Sequence, residues 1–362
     1  MKYLFIITKS YTIFTFRYKL IKTLQENGDS VAVIASDNER KDDAIKENIE
    51  FYCIKQDNRS INPFAILRYK KNMTTLIKKI NPDCAFTFQL KPNVIGTIAA
   101  HKAKVQNIYA MVEGVGDVFI NKSLKYKIIK KIVCCMYKKG FKHVRKVFFL
   151  NNSDLNDFCK LGILNENKAI IIHGIGVDLE KFKYKKIENY KSFIMVSRML
   201  VNKGIFEYCD LAREVKKIDN TIMFYYLGPE GNVKLADIQK YIDDGSINYL
   251  GKTNDVRPYL EKSTCLVLLS YREGMPMSIM EAEAMGRPII TTNSVGCNET
   301  VIDGYNGYIV DTHGIDAAVK KVLTLANDCQ LVERMSINSR KFAEENFDSE
   351  KINRIIYNYI NE

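Results

Sequence analysis

The sequence predicts two α/β domains, each a doubly wound parallel sheet covered by helices, and three features carry that reading. The chain has 362 residues, more than one hydrophobic core usually organises. Its N-terminal half alternates short β-rich runs with stretches of helical periodicity, a pattern that specifies helices packed on a parallel sheet. After a polar, lysine-rich stretch from Glu180 to Lys191 the same layout restarts.

Tyr3 to Ile7, Val31 to Ala35, Phe51 to Ile54, Cys84 to Phe88, Asn107 to Met111, Val147 to Leu150 and Ala169 to Ile172 are apolar runs of the kind buried on both faces of a parallel sheet. Between them Tyr18 to Glu26, Pro63 to Ile80, Val94 to Lys104 and Leu124 to Lys139 carry helical spacing, and Pro63 and Pro92 suit helix starts. In the second half Phe193 to Val196, Ile222 to Leu227, Ile247 to Leu250, Leu266 to Leu269 and Pro288 to Thr291 are expected strands, with helices over Ile205 to Lys217 and Met277 to Met285. Gly204, Gly228 and Gly251 flank these elements where the chain must pass close to a ligand or to other backbone. The expected domains are 1–180 and 192–345, joined by a linker at 181–191, and a cleft between two domains is the first place to look for a site.

Hydrophobic residues at 46% and charged residues at 27% exclude global disorder. No secretory leader is expected, because Lys9 interrupts the opening apolar run, and no run of about 18 apolar residues predicts a membrane span. The nine cysteines are odd in number and scattered, which points to buried thiols in a reducing, cytoplasmic compartment. Cys134-Cys135 is not a CxxC pair, so neither a zinc nor a redox centre is expected.

The net charge is +12, and it is uneven. No Asp or Glu falls between Val118 and Ser153, while Lys125, Lys130, Lys131, Lys138 and Lys139 do. An anionic partner is implied. Nucleic acid is disfavoured, because the basic stretch lacks interleaved aromatic platforms and there is no helix-turn-helix or zinc signature. Between Ser123 and Lys142, helical spacing aligns Ile128, Ile129, Ile132, Val133 and Met136 beside those lysines. Such a helix can lie on an anionic membrane, or it can bury the stripe against the first sheet with its lysines solvated.

The densest chemistry lies between Ser270 and Pro288. A strand ends at Ser270, a short loop carries Glu273-Gly274, and Pro276 starts a helix in its favoured first-turn position, with Met275 and Met277 on either side of it. The free amides of that first turn, with the helix dipole, suit a diphosphate. Glu273 sits at the helix mouth and Glu281 one to two turns inside. Glu273 can meet the sugar of a donor and Glu281 its ribose hydroxyls. A glutamate near a helix N-terminus also stabilises any helix, and Glu283 with Arg287 fits an i,i+4 surface pair. Arg198 and Lys203 leave the first strand of the second half, where a planar fork and a point charge can neutralise a diphosphate leaving group. Two solvated surface charges are the alternative.

Arg198…Lys203-Gly204, Leu250-Gly251, Glu273-Gly274-Met275-Pro276, Glu281-Ala282…Gly286-Arg287-Pro288 and Glu299…Asp303-Gly304…Asn306-Gly307 together resemble the retaining GT-B glycosyltransferases of family 4. The resemblance covers nearly the whole chain. It implies two facing Rossmann-like domains with a cleft between them, an acceptor-binding first domain, a nucleotide-sugar-binding second domain, and a C-terminal helix at 346–362 that returns to the first. It further implies that Arg198 and Lys203 hold the donor diphosphate, Glu281 the ribose and Glu273 the sugar, without a metal, and no Asp-x-Asp triplet is present to hold one.

The segments Arg59…Asn62-Pro63, Lys91-Pro92-Asn93…Gly96 and Val112-Glu113-Gly114-Val115-Gly116-Asp117-Val118-Phe119 resemble bacterial enzymes of that family that extend undecaprenyl-diphosphate-linked sugars, often with N-acetylgalactosamine. The implied partners are a UDP-sugar, a lipid-linked saccharide and the inner face of the cell membrane. Thr8-Lys9-Ser10-Tyr11-Thr12 stands where many members carry a glycine pair. Glu113 can bind acceptor hydroxyls or steady positive charge on the reacting sugar, or it is a solvated loop acid. A nucleotide-sugar epimerase and a non-catalytic basic binding module remain the rival readings.

Overall fold

A computed structural model of the protein describes residues 1–55, 63–115, 119 and 123–361. The chain divides into two compact units, Met1–Ile175 with Glu350–Glu362, and Gly176–Ser349.

The first unit is built on a seven-stranded parallel sheet: β1 Lys2–Ile6, β2 Ser30–Ala35, β3 Ile49–Cys53, β4 Cys84–Phe88, β5 Asn107–Val112, β6 Lys146–Phe149 and β7 Ala169–Ile171, in the order β3-β2-β1-β4-β5-β6-β7. Its described α-helices are α1 Tyr18–Glu26, α2 Lys41–Lys46, α3 Pro63–Ile80, α4 Thr97–Lys102, α5 Leu124–Phe141 and α6 Asn152–Lys160, with the C-terminal helix Ser349–Asn361 returning to this unit. Because side chains alternate across a strand, Leu4 and Ile6 of β1 bury against one helical layer with Met73, Ile77, Tyr137 and Phe141. Phe5, Phe86, Phe88 and Phe148 cluster on the other face. The last helix covers that aromatic face, since Tyr359 meets Phe148 edge-on at 6.2 Å and the Tyr3 hydroxyl donates to Asn361 at 2.6 Å.

The second unit holds a six-stranded parallel sheet: β8 Ser192–Val196, β9 Met223–Leu227, β10 Asn248–Tyr249, β11 Cys265–Leu268, β12 Ile289–Thr292 and β13 Gly307–Val310, in the order β10-β9-β8-β11-β12-β13. Its helices are α7 Ile205–Ile218, α8 Leu235–Asp243, α9 Arg257–Glu261, α10 Met277–Ala284, α11 Ile315–Asn327 and α12 Cys329–Asn346.

Several expectations are corrected. The stretch 181–191 is not a free linker but part of the second unit, where Phe182 and Ile187 are buried and Arg340 donates to the Phe182 carbonyl at 2.9 Å. β10 is two residues long rather than four, at the sheet edge, where one neighbour supplies all its pairing. Pro276 caps α10 from outside its first turn. The helix expected from Val94 is preceded by a π-helical turn over Pro92–Gly96, as α1 is by one over Ile13–Arg17.

Glu283 and Arg287 are both fully buried rather than a surface pair. Arg287 aims its guanidinium at the main-chain oxygens of Ser263 and Met285, at 3.0 and 3.1 Å. Glu283 accepts from the Asn306 amide at 2.6 Å, and burial pushes its carboxyl well above the ordinary value. A carboxyl raised in the folded state favours folding at low pH, and that contribution is lost as the pH climbs through its folded-state value. Glu283→Gln keeps an acceptor for Asn306 and removes the ionisation. Thermal unfolding of this variant should therefore show a smaller loss of stability than wild type as the pH rises above the ordinary carboxyl value of 4.5, and parallel curves would refute the assignment.

Candidate active site

In open α/β sheets ligands bind beyond the carboxyl ends of the strands, and in the second unit two such ends converge. β8 leads through Ser197–Gly204 into α7, and β11 leads through Ser270–Pro276 into α10. Gly204 makes the first turn possible: its φ is +74°, and a Cβ there would lie 2.1 Å from the Leu269 carbonyl oxygen. The two loops are then tied directly. Tyr271 N donates to the Asn202 carbonyl at 2.9 Å, Ser270 Oγ lies 2.9 Å from the same oxygen, and Glu273 N donates to Val295 O at 2.9 Å.

Lys203 and Glu273 meet across this seam, with Nζ 2.6 Å from Oε2 and side chains only 21% and 11% exposed. Ser270 Oγ donates to Glu273 Oε1 at 2.6 Å, so the carboxylate is held from two sides. Gly274 follows, Met275 and Pro276 are buried, and Met277 opens α10 partly exposed. The amides of Met277 and Ser278 have no helical acceptor and stand at the positive end of the helix dipole, whereas Ile279 N donates to Pro276 O at 3.1 Å.

Glu281 lies further along α10, half-buried. Loss of water pushes its carboxyl up to about 7; Lys181 pulls it down and Asp255 pushes it up. Arg198 is exposed at the end of β8 and, among the described residues, makes no salt bridge. The geometry therefore joins Lys203 with Glu273 and leaves Arg198 free to turn. A depression of about 690 Å³ on this unit, beside Lys185, Tyr225, Tyr259 and Lys262, contains none of these side chains.

In the first unit Glu113 follows β5 and forms an ion pair with Arg17, whose side chain is 2% exposed. The guanidinium also stacks over Phe88, 4.1 Å from the ring centroid. Glu113 is thus neither solvated nor free, a partnership invisible at a separation of 96 residues. The loop that lacks the glycine pair is closed by Asp37, which accepts from Ser10 N at 3.3 Å, from Ser10 Oγ and from Glu39 N at 3.3 Å. Burial works against the Asp37 charge, but these bonds prevail and hold its carboxyl below its usual range. Asn93 is buried between Thr87 Oγ1 and Met111 O, each at 2.8 Å, as a structural bridge. Arg59, Asn62, Gly116, Asp117, Val118 and the Lys125 side chain lie outside the described residues.

Two family models match the chain, Glycosyl transferases group 1 over residues 177–342 and Glycosyl transferase 4-like over residues 2–151. The chain is a GT-B glycosyltransferase of family 4. This glycosyltransferase is 28% identical, over 92% of its length and 90% of the relative's, to the N,N'-diacetylbacillosaminyl-diphospho-undecaprenol α-1,3-N-acetylgalactosaminyltransferase of Campylobacter jejuni. It is 25% identical, over 82% of its length and 80% of the relative's, to the UDP-Gal:α-D-GlcNAc-diphosphoundecaprenol α-1,3-galactosyltransferase of Escherichia coli. Its fold matches Anabaena HepE, solved with UDP and glucose, at a TM-score of 0.83 and 15% identity over the full length of both chains.

The Arg17–Glu113 pair makes a testable statement about the glycosyltransferase. Removing one partner of a largely buried pair strands the other charge, at a cost of about 3 kcal/mol. Glu113→Ala is expected to lower the unfolding free energy by that order, and the double variant Arg17→Met, Glu113→Ala should recover part of it. Denaturant titration of the double-mutant cycle checks this; additive losses would show that the pair is not coupled.

Proposed function

We propose that this enzyme moves a sugar, N-acetylgalactosamine or a related hexose or N-acetylhexosamine, from a UDP-sugar to a polyprenyl-diphosphate-linked saccharide in surface-glycan assembly. The Lys203–Glu273 pair beside the free amides of α10 carries the donor half of this reading. The lipid-linked acceptors in the names of the Campylobacter and Escherichia relatives support the acceptor half.

In this reading Lys203, Arg198 and the amides of Met275 and Met277 hold the diphosphate, with Gly274 and Pro276, which has no N–H, shaping the turn, and Glu281 accepts from the ribose hydroxyls. Glu273 accepts from the donor sugar, and Glu113, fixed by Arg17, faces the acceptor. Departure of UDP leaves positive charge on the sugar, a phosphate oxygen takes the acceptor proton, and attack from the same face retains configuration. Charge neutralisation by Lys203 and Arg198 replaces a metal ion in this scheme. The test is a panel of UDP-sugars against polyprenyl-diphosphate monosaccharides with a chelator present; sugar consumption without acceptor would indicate an epimerase instead.

UDP binding separates the roles. Below about pH 7 the Glu281 carboxyl is protonated and accepts poorly; above it the carboxylate accepts two hydroxyls. UDP affinity is thus expected to rise between pH 6 and 8 in wild type and to stay flat in Glu281→Gln. Glu273→Gln frees Lys203 from its partner and should tighten UDP several-fold while slowing transfer by about 1–3 kcal/mol in barrier. Weaker UDP binding in that variant would reverse the assignment of Lys203.

Among the described residues no helix is long and apolar enough to cross a membrane, and we place the enzyme peripherally on the cytoplasmic face through α5. The apolar stripe divides: Val133 and Met136 pack on the core, while Leu124, Ile128 and Ile132 form an i, i+4, i+8 ridge more than half exposed. Lys131, Lys138 and Lys139 are exposed around it. Lys130 is partly buried over Phe119 at 4.9 Å and contributes less. Each lysine near an anionic surface supplies about 1 kcal/mol. Co-sedimentation with anionic liposomes should fall with salt and with Lys131, Lys138 and Lys139 changed to Glu; equal binding to neutral lipid would exclude this docking face.

A further inference from the structure

Three loops of the second unit end on one carboxylate that the reaction scheme does not use. Glu207 lies in the first turn of α7, just beyond Lys203-Gly204. Its Oε1 accepts from the Tyr271 hydroxyl and lies 3.0 Å from His313 Nδ1. Tyr271 stands two residues before Glu273, and His313 follows β13. The Tyr271 and His313 rings are 4.7 Å apart. Glu207 is 13% exposed and His313 64%, so the oxygen they share lies at the inner end of a contact that His313 caps from solvent. Burial, and then the Glu207 charge, push the Tyr271 phenol up, so it stays a donor.

We propose that Tyr271 and Glu207 are positioning residues for the Lys203–Glu273 site, resting on the donor-site reading above. Tyr271 N is anchored to Asn202 O and its hydroxyl to Glu207. One residue therefore clamps the Glu273 loop to both sides of Lys203, at positions 202 and 207. Without the hydroxyl anchor the loop retains Ser270 and its main-chain bonds but gains freedom to rotate about them. Glu273 then spends less time where a donor sugar can meet it, while the diphosphate contacts from Lys203 and the α10 amides persist. The expected signature is a loss in kcat with little change in UDP affinity.

Tyr271→Phe removes one oxygen and keeps the ring. Its kcat should fall at least fivefold, with UDP Kd within threefold of wild type. Hydrogen exchange should accelerate about tenfold in peptides covering 270–276, and the β11 and α7 cores should keep wild-type protection. Glu207→Gln, which retains an acceptor for the phenol, should restore kcat to within threefold of wild type, whereas Glu207→Ala should match Tyr271→Phe. Wild-type exchange at 270–276 in Tyr271→Phe would overturn the positioning role, as would uniformly faster exchange across the unit. The exchange measurement needs no substrate. A wild-type protein that binds no UDP would instead overturn the donor-site reading and leave the clamp to be judged by exchange alone.

Discussion

The attraction between Lys203 and Glu273 is the constraint around which the loops at the carboxyl ends of β8 and β11 are arranged. Opposite charges 2.6 Å apart in a partly dry seam attract strongly, yet they meet reproducibly only if the two loops that carry them are held in register. The surrounding chain supplies that restraint. The close approach at Gly204, the shared Asn202 carbonyl and the Ser270 bond to Glu273 each remove one freedom from a loop. Exposed ion pairs contribute little because two long side chains must be ordered to make them; here the ordering is done by the backbone before the charges meet.

The first unit follows the same rule with different groups. Arg17 neutralises Glu113 over the Phe88 ring, and Asp37 fills the loop that a glycine-rich turn would leave open to an anion. Both carboxylates are committed inside their own unit. The loop amides that bind phosphate in many Rossmann-like folds are thus already satisfied at Ser10 by a resident carboxylate. This agrees with the proposal that the donor binds the second unit, where the Met277 and Ser278 amides that open α10 have no acceptor in their own helix.

The sheets were legible because fully buried parallel strands must be apolar throughout, and Cys84–Phe88 and Asn107–Val112 read that way at once. Pro63–Ile80 and Tyr18–Glu26 were legible from helical spacing. Two of the missed elements have weaker local signals. Gly307–Val310 is a four-residue edge strand opened by a glycine, and Asn152–Lys160 is a polar helix whose start rests on the Asn151 cap, 2.7 Å from Asp154 N. In the site, Lys203 and Glu273 could be named from motif spacing, but their pairing could not, because 70 residues separate them. Arg17, Asp37 and Glu207 were missed for the same reason: each is an ordinary charged residue until the fold brings its partner, and a clue existed only for Tyr271, two residues from Glu273.

On the proposed donor-site reading, an edge whose charges already cancel has a consequence for selectivity. A neutral sugar offers Lys203 nothing better than Glu273, so it gains no foothold there. A diphosphate brings two negative charges and can take Lys203 from the carboxylate, while the α10 amides add donors that Glu273 cannot reach without leaving Ser270. Displacement of Lys203 leaves Glu273 with an unfilled acceptor beside the position a donor sugar would occupy. On the proposed donor-site reading the carboxylate would open to a sugar hydroxyl only after phosphate has arrived, which would order recognition from diphosphate to sugar. That order depends on the loops holding still while the lysine moves, and the backbone ties at Asn202 and Val295 make such stillness compatible with a mobile side chain.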